Sequence, residues 1–371
     1  MKFTAFGAVD QWAPVLSGVV FILMAAGCTT PGNAQAQQEK LPLLRDVYAQ
    51  EFRIGVAFGH GLLDSGDAAA LALAATQFNA FTPENEMKWA NIHPQEGTYN
   101  YGPADALVAF AEQHRMAVTG HTLVWHNASP AWIFEDAPGV PATRETVLLR
   151  LREHIRAVMG RYRARVRGWD VVNEAVSEKE GEWLRESPWL RALGEDYVEL
   201  AFRFAREADP DAQLYYNDYN LEQPVKCEKA VRLIKRLQEK GVHVDGVGLQ
   251  GHFTLQSVNT DEVAKSIEAF SAMGLCVSIT ELDMRVYAYG DEENRYPNGA
   301  PPELLAEQAE KYAALFKVFV AHKSAIDRVT FWGVHDGLSW TNYAPVKRPD
   351  YALLFDRESK PKPAFYAVVK R

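Results

Sequence analysis

Eight short apolar runs, each of strand length, alternate with segments of helical periodicity along most of this 371-residue chain. No other feature restricts the fold as strongly. The runs are FRIGVAF (52–58), NAFTPEN (79–85), AVTGHTLVW (117–125), GWDVVNEA (168–175), QLYYND (213–218), GVGLQGH (246–252), VSITELD (277–283) and RVTFWGVHD (328–336). Each is close to continuous in apolar residues, which implies burial on both faces. Between them Leu148, Leu151, Ile155 and Val158 recur at spacings of three and four. So do Cys227, Val231, Ile234 and Leu237, closed by Gly241, and Val263, Ile267 and Phe270, closed by Gly274. Doubly buried strands separated by helices pair in parallel. Eight of them predict an α/β fold, a single (β/α)8 TIM barrel, with an open doubly wound sheet as the alternative. No GxGxxG and no P-loop motif occurs, which removes the main reason for the open sheet and argues against a nucleotide cofactor.

Three segments are expected. Residues 1–28 read as an export signal, with Lys2 ahead of the apolar stretch VLSGVVFILMAAG. Two processing sites compete. MAAGC at Met24–Cys28 resembles a lipoprotein signal in which Cys28 takes the lipid, although Ala25 stands where that pattern prefers Leu. AQAQ at Ala34–Gln37 offers an ordinary small-x-small site. The first is preferred, and both export the protein. Residues 29–40 form a polar tether, and residues 41–371 form one domain without a further linker or repeat.

The net charge of −9 and the lack of a long basic run exclude nucleic acid as a partner, and leave a membrane role only through an anchor at Cys28. RYRARVR at Arg161–Arg167 reads as the solvated end of a helix. Cys227 and Cys276 are expected to be buried free thiols rather than a disulfide. No Cys or His pair has zinc-site spacing, so no metal is expected.

The apolar runs end in residues a core does not favour. These are Glu84 and Asn85, His121 and Trp125, Asn173 and Glu174, Asn217 and Asp218, Gln250 and His252, Glu281, and Trp332. In a barrel these C-terminal ends open on one face, where active sites lie. Glu174 and Glu281 end the fourth and seventh runs, across the mouth from one another. Aromatic rings, amides and paired carboxylates suit a sugar, and the pair suits glycoside hydrolysis. One carboxyl must keep its proton for the leaving oxygen while the other is ionised.

The order of TPENEMKW, GHTLVWH, WDVVNEA, YYNDYN, GLQGH, ITELD and TFWG resembles glycoside hydrolase family 10, the endo-β-1,4-xylanases, from about Leu41 to Arg371. The resemblance implies that Glu174 is the general acid/base and Glu281 the nucleophile of a retaining enzyme, with carboxyls about 5–5.5 Å apart. It implies that Asn173 binds the sugar 2-hydroxyl, that His252 bonds the nucleophile and that Gln250 neighbours the acid/base. Lys88, His121 and Trp125 match the pocket around the cleaved sugar. Glu84 and Asn85 match the next subsite on the non-reducing side, and Trp332 and Trp340 match aromatic platforms. The implied ligands are xylan and xylo-oligosaccharides, with no cofactor and a monomeric enzyme.

Two departures concern the donor side. Ala128 stands where the family usually has Gln, and His335 and Gly337 replace its usual residues after the eighth strand. The loop from Tyr287 to Pro302 is expected to shape the leaving-group side. The alternatives are a related barrel β-glycanase acting on cellulose or mixed-linkage glucan, and a sugar-binding surface protein without catalysis. Intact carboxylates at Glu174 and Glu281 speak against the latter.

Overall fold

Every one of the eight runs forms a strand in the computed structural model, which describes residues 41–370. The strands are β1 (Arg53–Phe58), β2 (Ala80–Pro83), β3 (Ala117–Trp125), β4 (Val166–Asn173), β5 (Gln213–Asp218), β6 (Gly246–Leu249), β7 (Cys276–Arg285) and β8 (Ile326–Phe331). Neighbours in sequence pair in parallel, and β8 returns to pair with β1, so the sheet closes. The expected (β/α)8 barrel is the observed fold. The export signal, the tether and Cys28 lie outside the described residues.

Helices follow the strands as the periodicity requires. Arg144–Tyr162 buries the expected Leu151, Ile155 and Val158, with Val147 in place of the half-buried Leu148, and is capped by Thr143, whose side chain accepts from the Thr146 amide. Thr260–Ser271 buries Val263, Ile267 and Phe270 under an Asn259 cap. In Pro224–Glu239 the buried stripe is Lys226, Ala230, Leu233, Ile234 and Leu237, one step round from the expected Cys227 and Val231. An ion pair from Lys226 Nζ to Asp218 at 2.8 Å draws that lysine to the inner face, and this sets the rotation of the helix. The basic run behaves as a helix end: the helix stops at Tyr162, Arg161 pairs with Asp105 and Arg165 pairs with Glu112. Cys227 and Cys276 are free thiols as expected, but half-buried rather than buried, and desolvation raises the pKa of both.

Inside the barrel, small residues make room for functional ones. A Cβ on Gly248 of β6 would lie 2.1 Å from the Asn217 amide oxygen, so glycine there leaves space for a side chain at the mouth. Below the mouth, Asp170 of β4 accepts from His121 Nδ1 at 2.9 Å and lies 3.9 Å from the Arg328 guanidinium. Asp170 therefore belongs to the barrel interior, where it fixes the imidazole above it.

Candidate active site

The two glutamates are joined through amides. Asn217, at the end of β5, donates from Nδ2 to Glu281 Oε1 and to Asn173 Oδ1, both at 2.8 Å. Asn173 Nδ2 donates to Glu174 Oε1 at 3.2 Å, and Gln250 Nε2 donates to the same oxygen at 3.2 Å. Thr280 Oγ1 donates to Asn217 Oδ1 at 2.6 Å, so the central amide is oriented from both ends. Asn217 touches the Glu281 carboxylate directly, a role its strand-end position hinted at but did not specify.

The surroundings of the two carboxyls differ. Glu281 is buried within β7, which runs on past the expected end to Arg285, and accepts from His252 Nε2 at 3.1 Å. His252 Nδ1 donates to Asp283 Oδ2 at 2.9 Å, and Trp340 Nε1 donates to the same oxygen at 2.8 Å. Burial disfavours the His252 cation, but Asp283 and Glu281 outweigh it and raise the imidazole to about 10. Burial likewise opposes ionisation of Glu281, but the His252 bond, the nearby His121 and the Asn217 amide together hold its carboxyl below the ordinary value. Asp283 lies two residues beyond Glu281. The period of a strand puts both on one face, which is the signal that could have found it.

Glu174 follows β4 with φ 57°, in the left-handed region that a non-glycine residue rarely occupies. Its amide donates to the Asn217 carbonyl at 2.9 Å, and Arg185 Nε donates to its own carbonyl at 3.1 Å. Oε2 accepts from Trp125 Nε1 at 2.8 Å. This carboxyl, half-buried, is held by neutral donors: an indole and two amides. Arg185, which also donates from Nη2 to the Tyr219 hydroxyl at 2.6 Å, was not evident from sequence because it lies in a loop.

The other expected residues gather on the same mouth. Lys88 donates to Asn85 Oδ1 at 2.9 Å and lies 4.9 Å from the Trp125 ring centroid. Burial lowers the Lys88 ammonium and raises the Glu84 carboxyl, with each countering the shift of the other. Glu86, unmarked in the sequence, fixes their turn by accepting from the amides of His60 and Asn85. Trp332 is buried and stands edge-on to His121 and His252, with centroids 5.2 and 6.4 Å away, so it forms floor; Trp340 is half-buried. Ala128 ends a short 3-10 turn after β3. His335 is buried, accepts from the Gly337 amide at 3.0 Å and lies 3.6 Å from Asp67, the cap of Ala68–Gln77. The loop after β7 docks on the loop after β8 through Arg348, which donates to the Glu293 carbonyl at 2.6 Å. No group able to hold a metal ion occurs among the described residues.

Paired carboxylates in unequal surroundings at the mouth of a (β/α)8 barrel define a glycosidase type of site. The chain belongs to glycosyl hydrolase family 10, whose model matches residues 43–371. It is 44% identical over 338 residues to a β-1,4-xylanase of Dictyoglomus thermophilum, covering 91% of this chain and 93% of that one. A thermostable celloxylanase of Thermoclostridium stercorarium is 40% identical over 377 residues, covering 97% and 96%. The crystal structure of xylanase B from Clostridium stercorarium F9 superposes with a TM-score of 0.85 at 40% identity, covering 89% of this chain and all of that one.

Proposed function

We propose that this chain is a retaining endo-β-1,4-xylanase that hydrolyses internal bonds of xylan by double displacement. The observation that carries the reading is the asymmetry of the joined carboxylates. Glu281 is kept ionised by a protonated His252, whereas Glu174 is bound only by neutral donors. In the first step Glu281 attacks the anomeric carbon, the glycosidic bond breaks, and Glu174 gives its proton to the leaving oxygen. In the second, Glu174 takes a proton from water, whose oxygen displaces Glu281, restoring both carboxyls and the original configuration. Asn173, fixed by Asn217 and Gln250, faces the sugar 2-hydroxyl; Lys88, His121 and Trp125 surround the cleaved sugar. Glu84 and Asn85 hold the next sugar outward, and Trp332 and Trp340 wall the pocket.

Reducing-sugar release from xylan and from carboxymethyl cellulose tests the substrate, and proton NMR of the first-formed anomer tests the stereochemistry. Xylan cleavage with initial β product is expected. Faster cleavage of the cellulose derivative would move the enzyme to the glucanase reading, and an α product would end the double-displacement mechanism.

We further infer export, with Cys28 as lipid anchor, and a monomeric enzyme. The N-terminal signal pattern supports the first, and the scatter of exposed apolar side chains such as Val140, Val225 and Tyr366 supports the second. Mass spectrometry of the mature N-terminus decides between acylated Cys28 and cleavage near Ala36. Light scattering decides the oligomeric state.

A further inference from the structure

The backbone that carries Glu174 is tied down by a carboxylate that the two-step reaction does not use. Asp218 ends β5 and is fully buried. Its Oδ1 accepts from Lys226 Nζ at 2.8 Å and from the Tyr219 amide at 2.9 Å. Its Oδ2 accepts from the Tyr216 hydroxyl and, at 3.4 Å, from the Val176 amide. The same Val176 amide donates to the Tyr216 oxygen at 3.0 Å. Val176 lies two residues past Glu174. On the near side the Glu174 amide is tied to the Asn217 carbonyl, and Arg185 holds the carbonyls of Glu174 and Ala175. The left-handed turn at Glu174 is thus gripped at both ends, and its downstream grip is the pair formed by Tyr216 and Asp218.

The charges converge at the same place. Arg185 faces both Glu174 and Asp218, and Lys226 is paired with Asp218 at 2.8 Å. Burial pushes the Asp218 carboxyl up to about 6, against the opposing pull of Lys226.

We infer that Asp218 is the positioning residue of the acid/base: together with Tyr216 it holds the Val176 amide and so fixes the backbone of Glu174. The inference rests on the reading of Glu174 as acid/base. It assigns work to a side chain in the YYNDYN motif that never reaches the sugar.

Asp218→Asn in the full chain tests it. The kcat/KM for xylan should fall about tenfold, while that for an aryl xylobioside with a strongly acidic leaving group, which needs no proton, stays within about twofold. Tyr216→Phe removes the nearer acceptor of the Val176 amide without changing charge, and should give the same leaving-group split. Equal loss on both substrates, or loss on neither, would make Asp218 a scaffold residue and overturn the inference. If Asp218→Asn does not fold, Tyr216→Phe decides alone: a split sustains the inference, and equal loss or none overturns it. Absence of a split in Glu174→Ala would overturn the acid/base reading, and this inference with it.

Discussion

Two histidine sites in this barrel have opposite electrostatics. At the mouth His252 places its two ring nitrogens on Asp283 and Glu281, at 2.9 and 3.1 Å, and is raised to about 10. In the outer wall His93 and His154 face each other Nδ1 to Nδ1 at 3.1 Å, beneath Trp89, which stacks on His154 at 3.6 Å. Burial pushes His93 down to about 4 and lowers His154 as well. One nitrogen of the pair must accept, so both rings cannot be charged there. Burial alone disfavours an imidazolium, and two carboxylates within hydrogen-bond reach reverse the outcome. The mouth holds a fixed charge beside Glu281; the wall excludes charge and contributes packing. Substitutions at the mouth should therefore cost activity with the fold intact, and those in the wall should cost stability with activity intact.

The largest effect belongs to Glu281→Ala. Without the carboxylate no covalent intermediate forms, so kcat should fall at least about 10⁴-fold on every substrate, while thermal melting stays cooperative. Substantial residual turnover would sink the assignment. Glu174→Ala comes next. Xylan hydrolysis should fall about 10²- to 10⁴-fold, but kcat/KM for substrates with acidic leaving groups should persist. An equal loss on both would show that Glu174 does not supply the proton.

His252→Gln sharpens the contrast more finely. Glu281 must be ionised to attack, and the imidazolium helps lower its pKa. Removing that cation should move the acid limb of kcat/KM to higher pH and reduce the rate about tenfold at the acid end. An acid limb that stays put would mean that Asn217 and His121 suffice. Stability should respond at the other end. The folded pKa of His252 is raised from 6.5 to about 10, so its ion pairs contribute fully below 6.5 and are lost as pH rises through about 10. The wild-type melting temperature should decline over that window, and the decline should flatten in the variant.

The mouth was far more legible in sequence than the wall. A glutamate or histidine at the end of an apolar strand violates the pattern around it, so Glu174, Glu281 and His252 stood out, as did the eight-fold alternation that fixes the barrel. Asn217 and Asp218 were visible as strand-end polar residues, but their partners lie on β4 and just beyond it, on β7 and on the following helix, which no single run contains. Arg185 and Glu86 act from loops and leave no periodic trace. His154 sits within the periodic run of Arg144–Tyr162, where a buried histidine looks like any interior position until its partner, 61 residues earlier, is known. The same lack of long-range information left the face of Pro224–Glu239 one step off, because Asp218 selects it.

The smallest effect tests the wall. The unfolded chain takes protons on His93 and His154 near pH 6.5, whereas the folded pair refuses them, with His93 held down to about 4. Both folded values lie below the unfolded one, so the contribution is full above 6.5 and is lost as pH falls toward 4. His154→Leu leaves His93 Nδ1 unpaired and should cost about 1–2 kcal/mol at neutral pH. It should also remove one of the two proton-refusing groups, so the fall in melting temperature between pH 6.5 and 4 becomes shallower than in the wild type. A slope as steep as before would mean that carboxylates, not this pair, govern acid unfolding. Xylan hydrolysis at 25 °C and neutral pH should be unchanged. A clear loss of turnover in a fully folded His154→Leu would break the division between mouth and wall. Its route would be Trp89, which stacks on His154 and directly follows Lys88 in the turn that borders the substrate pocket.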